Sequence, residues 1–439
     1  MGTTRRELMG RAALGAALVG LGARWAHAEG EGMEGAGAAP KPITAQGYRP
    51  TTTLDGKTLP YRMVDGVKVF HMVAGDVEHE FAPGLLGRCW GYNGIVHGPT
   101  IEAVEGDHVR IYVTNKLSAP TTVHWHGLFV PSGMDGVGGL SQRPIEPGET
   151  FRYEFTLRQH GTFMYHPHHD EMTQMALGLM GMIVVHPREP KGPLPDRDYV
   201  YMLGEWAMDP GVWRPDPNEM KDFNILTLNA RAFPGTSPMV AQLGERVRIR
   251  IGNLSAMDHH PIHLHGYAFE VIETDGGQVP TSARWPETTV LVPTGSVRVV
   301  EFIADNPGDW AIHCHMTHHI MNQMGHGVPN TAGVDVTQFD ERLMEHVPEM
   351  NEIMEAMMSG DDMDKPPPNG IPMIGGTGPR GYITMGGMFT TLRVRERLPE
   401  SGDVGWYDAP AETQARPASA DELRTDGVDP TSATGELPP

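Results

Sequence analysis

Apolar and polar positions alternate with period two along much of the chain between residues 61 and 186. Val109, Ile111 and Val113 alternate with Arg110 and Tyr112 until Asn115 ends the run, and Phe151, Tyr153 and Phe155 repeat the rhythm before Gly161. Successive side chains of an extended chain point to opposite faces, so this period predicts half-buried strands. Their short spacing, with Gly, Pro and Asp between them, predicts a β-sandwich. Residues 197 to 325 repeat the plan: Val247, Ile249 and Ile251 alternate up to Asn253, and Val300 and Phe302 flank Glu301 ahead of Gly308. The two blocks also line up in their residues. GDHVRIYVTNKLSAPTTVHWHG in the first aligns with GERVRIRIGNLSAMDHHPIHLHG in the second, and HGTFMYHPH with PGDWAIHCH. An internal duplication of about 140 residues accounts for both likenesses. The expected fold class is therefore all-β, with domain one at 61–186, a linker at 187–196 and domain two at 197–325.

The flanks follow other patterns. Residues 29–60 are rich in Gly, Ala, Pro and Thr and read as a leader. After Met324 the alternation lapses: residues 326–381 form a Gly-, Pro- and Met-rich insertion, in which Met350, Ile353, Met354 and Met357 share one face of a helix. Such a face serves core packing, or offers thioethers to Cu(I). Met172, Met175, Met180 and Met182 add thioethers after the HPHH segment. An alternating strand, Met388 to Val394, returns within 382–396, and residues 397–439 are acidic, rich in Pro and Ala, and predicted to be disordered. At the other end, Arg5-Arg6, the apolar stretch AALGAALVGLGA and the small-residue site Ala26-His27-Ala28 read as a twin-arginine export signal at 1–28, which places the mature chain in the periplasm.

Composition narrows the partners. Lys and Arg number 34 against 55 Asp and Glu, a net charge of −21 that repels phosphate backbones and anionic lipid, so neither nucleic acid nor membrane is expected. Two cysteines allow at most one disulfide, while 22 His and 28 Met make soft and borderline metal donors abundant. Four His-x-His pairs stand at 124/126, 166/168, 263/265 and 313/315. Chance supplies about one such pair in a chain of this composition, and a lone pair is more often packing or surface histidine. Four pairs, two per repeat at matching places, are a metal constellation, because residues two apart on a strand put both imidazoles on one face. The second repeat adds His260, Cys314, His319 and Met324. Two imidazoles, a thiolate and a weak thioether are the donor set of a blue-copper centre. Cys314 points opposite to His313 and His315, so copper on the cysteine side is wired through two covalent steps to whatever the flanking histidines hold.

On these residues the sequence resembles the multicopper oxidases. HWHG (124–127), HPH (166–168), HPIHLH (260–265) and HCHMTHHIMNQM (313–324) agree with the family's four motifs in order, spacing and donor type. The resemblance implies two cupredoxin-like Greek-key β-sandwich domains and four coppers. Type 1 copper falls at His260, Cys314, His319 and Met324, and type 2 at His124 and His263. A type 3 pair falls at His126, His166 and His315 with His168, His265 and His313. His169, His259 and His318 break the spacing and are expected beside the ligands rather than among them. Only 92 positions separate His168 from His260, too few for a middle domain, so the likeness is to the two-domain, small-laccase-like branch. Its trinuclear cluster would then lie between chains of a homotrimer. The implied reaction is oxidation of phenols or Cu(I) coupled to reduction of O2 to water, with Asp135 and Glu287 as proton-handling carboxylates. The alternatives are a copper-storage protein, which does not explain the ordered pairs, and a two-domain copper nitrite reductase. The latter carries its blue-copper cysteine in the first domain, where the His166 segment has none. Cys89 lies outside any ligand frame and is expected to be a free buried thiol rather than a disulfide partner of Cys314.

Overall fold

The structure is a computed structural model. It describes residues 33–322, 369–371, 375–399, 404–435 and 437, except 38, 210 and 221–222. The export signal, Met324 and the methionine helix face at 350–357 lie outside the described residues. No helix among the described residues is long and apolar enough to cross a membrane.

Both predicted blocks are β-sandwiches. In domain one, a sheet of Tyr61–Val64, Val67–Ala82, His108–Asn115 and Thr150–Thr156, with Leu85–Tyr92 at its side, faces a second sheet ordered Ile101–Val104, Gly181–His186, Gly161–His166 and His124–His126. Between them lies a core that includes Trp125, Tyr153, Phe163, Tyr165 and Val113. Strand His108–Asn115 alternates buried and half-exposed positions throughout, as its period-two pattern requires. In domain two, a sheet containing Arg197–Trp206, Arg246–Asn253, Ser296–Ile303 and Phe269–Thr274 faces the sheet Met239–Gln242, Phe389–Arg395, Gly308–Cys314, His260–Leu264 and Thr289–Val292.

The duplication extends to register. His124 pairs with His166 in domain one, and His263 pairs with His313 in domain two, so the first histidines of both pairs sit side by side on adjacent strands. Asn115 and Asn253, which end equivalent strands, repeat the same bonds. Each accepts from the backbone two residues on, Leu117 N or Ser255 N, and donates to two carbonyls, Ala119 O and Ile145 O in one domain and Asp258 O and Val292 O in the other. A buried Asn at a strand end thus pins the loop that leads to each first histidine.

Three expectations need correction. Residues 48–60 are not a leader: Thr52–Thr53 pairs in parallel with Arg197–Trp206, Leu54 is fully buried in the domain-two core, and Leu59 is buried in the core of domain one. Leu54 and Leu59 are the apolar exceptions in a polar stretch, and that is why composition alone hid them. Among the described residues, the tail is not structureless. Trp406 and Tyr407 stack under Arg393 and Arg395, and Ala420–Thr425 is a helix closed by a Ser419/Glu422 capping box. The alternation in Arg246–Asn253 also fails at Arg250, which is buried. It forms two hydrogen bonds with Asp198 and reaches Thr162 Oγ1 of domain one at 2.7 Å. Thr162 N also donates to Glu273, so the strand that ends in His166 is held from domain two.

Candidate metal centre

Cys314 lies fully buried at the end of strand Gly308–Cys314, with His260 and His319 beside it. His260 Nδ1 and His319 Nδ1 are 3.1 Å apart, and the sulfur is 3.7 Å from the first and 3.5 Å from the second. The circumradius of a triangle with these sides is about 2.0 Å, the length of a metal–imidazole bond. Each ring's other nitrogen is engaged elsewhere. His260 Nε2 meets Ser255 Oγ at 2.8 Å and the Glu205 carboxylate at 3.2 Å, and His319 Nε2 meets Asp258 Oδ2 at 3.4 Å. A carboxylate only accepts, so the proton sits on Nε2 and the Nδ1 lone pairs face the sulfur. Burial lowers His319 to about 4 and pushes the Cys314 thiol up to about 12. The His319 imidazole is therefore neutral, and a metal entering the pocket displaces the thiol proton.

The domain-one histidines form a second group. His126 Nδ1 lies 3.2 Å from His166 Nε2. The opposite nitrogens donate to carbonyls, His126 Nε2 to Gly295 O at 3.0 Å and His166 Nδ1 to Pro167 O at 2.9 Å. His124 Nδ1 donates to the Asp135 carbonyl at 2.8 Å, with the Asp135 carboxylate 3.4 Å away. Burial holds the His166 ring down to about 3, hence neutral. His168, less buried, has its Nε2 3.8 Å from Glu171, whose other oxygen is 3.4 Å from His166 Nδ1.

Domain two carries the matching set. His265 Nε2 is 3.2 Å from His313 Nε2, His313 Nδ1 donates to the Cys314 carbonyl at 2.8 Å, and His263 Nδ1 donates to Thr288 O at 2.7 Å. His315 is exposed, its ring 5.5 Å from those of His263 and His313. Glu287 adjoins Thr288 but turns to Trp285 Nε1 at 2.7 Å, and no contact joins it to a histidine among the described residues. His259 Nδ1 accepts from Thr294 N at 3.0 Å, beside the ligand pattern rather than in it. Cys89 is buried and free, as is Cys314, so no disulfide joins them.

Among the described residues, no hydrogen bond or ring contact links the domain-one quartet to the domain-two quartet. The former lines a cavity of about 650 Å³ whose far wall is Glu205, Leu254, Met257, Thr294 and Gly295. Glu171, Glu205, Ser255 and Asp258 escaped sequence reasoning. Glu205 had a readable signal, as the lone acid in the apolar run VYMLGEWAM; Glu171 opens the short helix Glu171–Ala176, and Ser255 and Asp258 are brought in by a loop.

Two family models described as multicopper oxidase match residues 75–190 and 209–333. The chain belongs to the multicopper oxidase family. Copper resistance protein A of Escherichia coli is 29% identical over 235 residues, 43% of this chain and 38% of that protein. Laccase-1 of Cryptococcus neoformans var. grubii is 32% identical over 217 residues, 43% of this chain and 34% of that protein. The chain thus spans well under half the length of these curated relatives. Among solved structures, the blue copper oxidase from Nitrosomonas europaea matches with a TM-score of 0.53 and 26% identity, covering 74% of this chain and 85% of that one.

Proposed function

We propose that this chain is a periplasmic oxidase that couples one-electron oxidation of phenols, or of Cu(I), to reduction of O2 to water. The observation that carries the reading is the Cys314 pocket, where a thiol and two Nδ1 atoms converge at metal-bond distance. The donor chemistry fits copper: a soft sulfur with two imidazoles at one site, imidazoles alone at the other. His260, Cys314 and His319 would hold type 1 copper, with Met324 as the weak fourth donor. His124 and His263 would hold type 2 copper. One type 3 copper would take His126, His166 and His315, and the other His168, His265 and His313. The close pairs His126/His166 and His265/His313 each fall on one metal of that scheme.

Bound copper supplies single-electron acceptance at the cysteine site and four-electron delivery to O2 at the histidine cluster. Four phenols surrender four electrons and four protons, and one O2 takes both to give two waters. The protein's part is to place protons and fix tautomers. Asp258, half-exposed at the Nε2 edge of His319, stands where a phenol would release its proton. Asp135 beside His124 and Glu171 beside His166 and His168 supply protons on the cluster side. Glu287, turned to Trp285, has weaker support in this role. That no hydrogen bond or ring contact joins the two histidine quartets among the described residues supports a cluster completed by domain two of a neighbouring chain. The ring closes as a homotrimer. Oxygen uptake by copper-loaded protein with a phenolic reductant tests the function, and copper-loaded protein that consumes none would refute it.

A further inference from the structure

Both type 1 imidazoles lead to the Thr294–Gly295 dipeptide, His319 through an ion-pair contact with Asp258 and His260 through hydrogen bonds, and that dipeptide holds a histidine of the other domain. From His319 the line runs through Nε2 to the Asp258 carboxylate at 3.4 Å, and the Asp258 carbonyl accepts from Thr294 Oγ1 at 2.9 Å. Thr294 precedes Gly295, whose carbonyl accepts from His126 Nε2 at 3.0 Å. From His260 a second line runs through Nε2 to Ser255 Oγ at 2.8 Å, then to the Asn253 side chain. The Asn253 carbonyl accepts from Gly295 N at 2.8 Å. Asn253 is fully buried and its amide also holds the Asp258 carbonyl at 2.9 Å, so the two lines brace each other. Domain one repeats part of this frame, Gly148 N donating to the Asn115 carbonyl at 2.8 Å, but Thr121 stands there where domain two has His260.

We propose that Asp258, Thr294 and Gly295 are positioning residues. They couple the cysteine pocket of each chain to the half-cluster carried by that chain's own domain one. This link is distinct from the covalent Cys314–His313 and Cys314–His315 connections, which serve the cluster completed with the neighbouring chain. The Gly295 carbonyl fixes the His126 tautomer and so decides that Nδ1 faces His166. The Thr294 hydroxyl keeps that carbonyl and Asp258 in one frame, so a shift at His319 is transmitted to His126 and the reverse, as thermodynamic linkage requires. The inference rests on the copper assignment above.

The test is Thr294→Val in the full-length, copper-loaded protein, which removes one hydroxyl and keeps the side-chain shape. Two readouts with no turnover are followed: the EPR hyperfine pattern of the blue copper, and the rate at which a chelator strips the remaining copper. Thr294→Val is expected to alter the first and to accelerate the second by about tenfold, the usual size of an outer-ligand effect. Thr294→Ser, which keeps the hydroxyl, restores both. Unchanged values in Thr294→Val, or a change in only one of the two, overturn the coupling. A wild-type protein without any blue signal overturns the copper reading itself, and the coupling with it.

Discussion

Domains one and two share a frame and differ at three points of it. In each, a buried Asn pins the loop before the first histidine, and a backbone carbonyl, Asp135 O or Thr288 O, fixes that histidine's tautomer. In each, the two first histidines of the pairs stand opposite one another. Between its second pair, however, domain one has Pro167 where domain two has Cys314. Three residues before its first pair it has Thr121 where domain two has His260, and in place of the His260–His319 encounter Thr121 Oγ1 donates to the buried side chain of Gln174 at 2.6 Å. The strand frame by itself presents imidazoles to one face. The soft-donor pocket is an addition made by a thiol, a histidine ahead of the strand and a histidine on the loop after it, so only domain two carries the donor set that the proposed function assigns to single-electron acceptance.

Cys314→Ser strikes the comparison hardest, because it makes domain two as blind to soft metal as domain one. The blue absorption is expected to vanish and phenol oxidation to fall below detection, while copper on the histidines persists, since no other ligand is a thiolate. Visible and EPR spectra with copper analysis check this. Asp135→Asn removes a carboxylate beside the His124 edge and leaves the carbonyl that fixes the ring. Turnover is expected to drop about 10²-fold with copper content nearly intact. Steady-state oxygen uptake across acid to neutral pH measures it.

Gln174→Ala probes the site in domain one that corresponds to the copper pocket. It takes from Thr121 Oγ1 its shorter acceptor, leaving the Thr122 carbonyl at 3.3 Å, and from the Pro120 carbonyl its amide donor, and is expected to cost about 1–3 kcal/mol in denaturant unfolding without changing the blue spectrum. A last effect is one of pH on the copper-free protein. Burial lowers His79 from 6.5 to about 4 and His97 to about 3, and neither is a proposed ligand. A depressed imidazole leaves the folded state neutral while the unfolded chain takes up a proton. Its stabilising contribution is therefore complete above about pH 6.5 and is lost as pH falls through the folded values. Thermal midpoints of apo-protein should decline from pH 6.5 toward 4, with a shallower slope in His79→Gln.

Much of the frame was legible because strand alternation and His-x-His spacing are local. The pairs, the cysteine and His260 could be read from the sequence, since their positions along a strand decide which face they share. What was hidden depends on distant segments. Leu54 and Leu59 join two different cores from within a polar stretch, and Arg250 is buried only because Asp198 on a neighbouring strand neutralises it. Glu171 meets His166 across a turn, and Asp258 meets His319 across two loops. The role expected of Glu287 came from a motif position alone, and the side chain turns to Trp285 instead.

The most direct test of the central claim is copper per chain measured together with molar mass by light scattering on the same copper-loaded fractions. Trimer fractions are expected to hold four coppers per chain with both the blue and the cluster signals. Monomer fractions should hold a single blue copper and be inactive toward O2. A monomer that carries all four coppers and reduces O2 at full rate would contradict a cluster shared between chains.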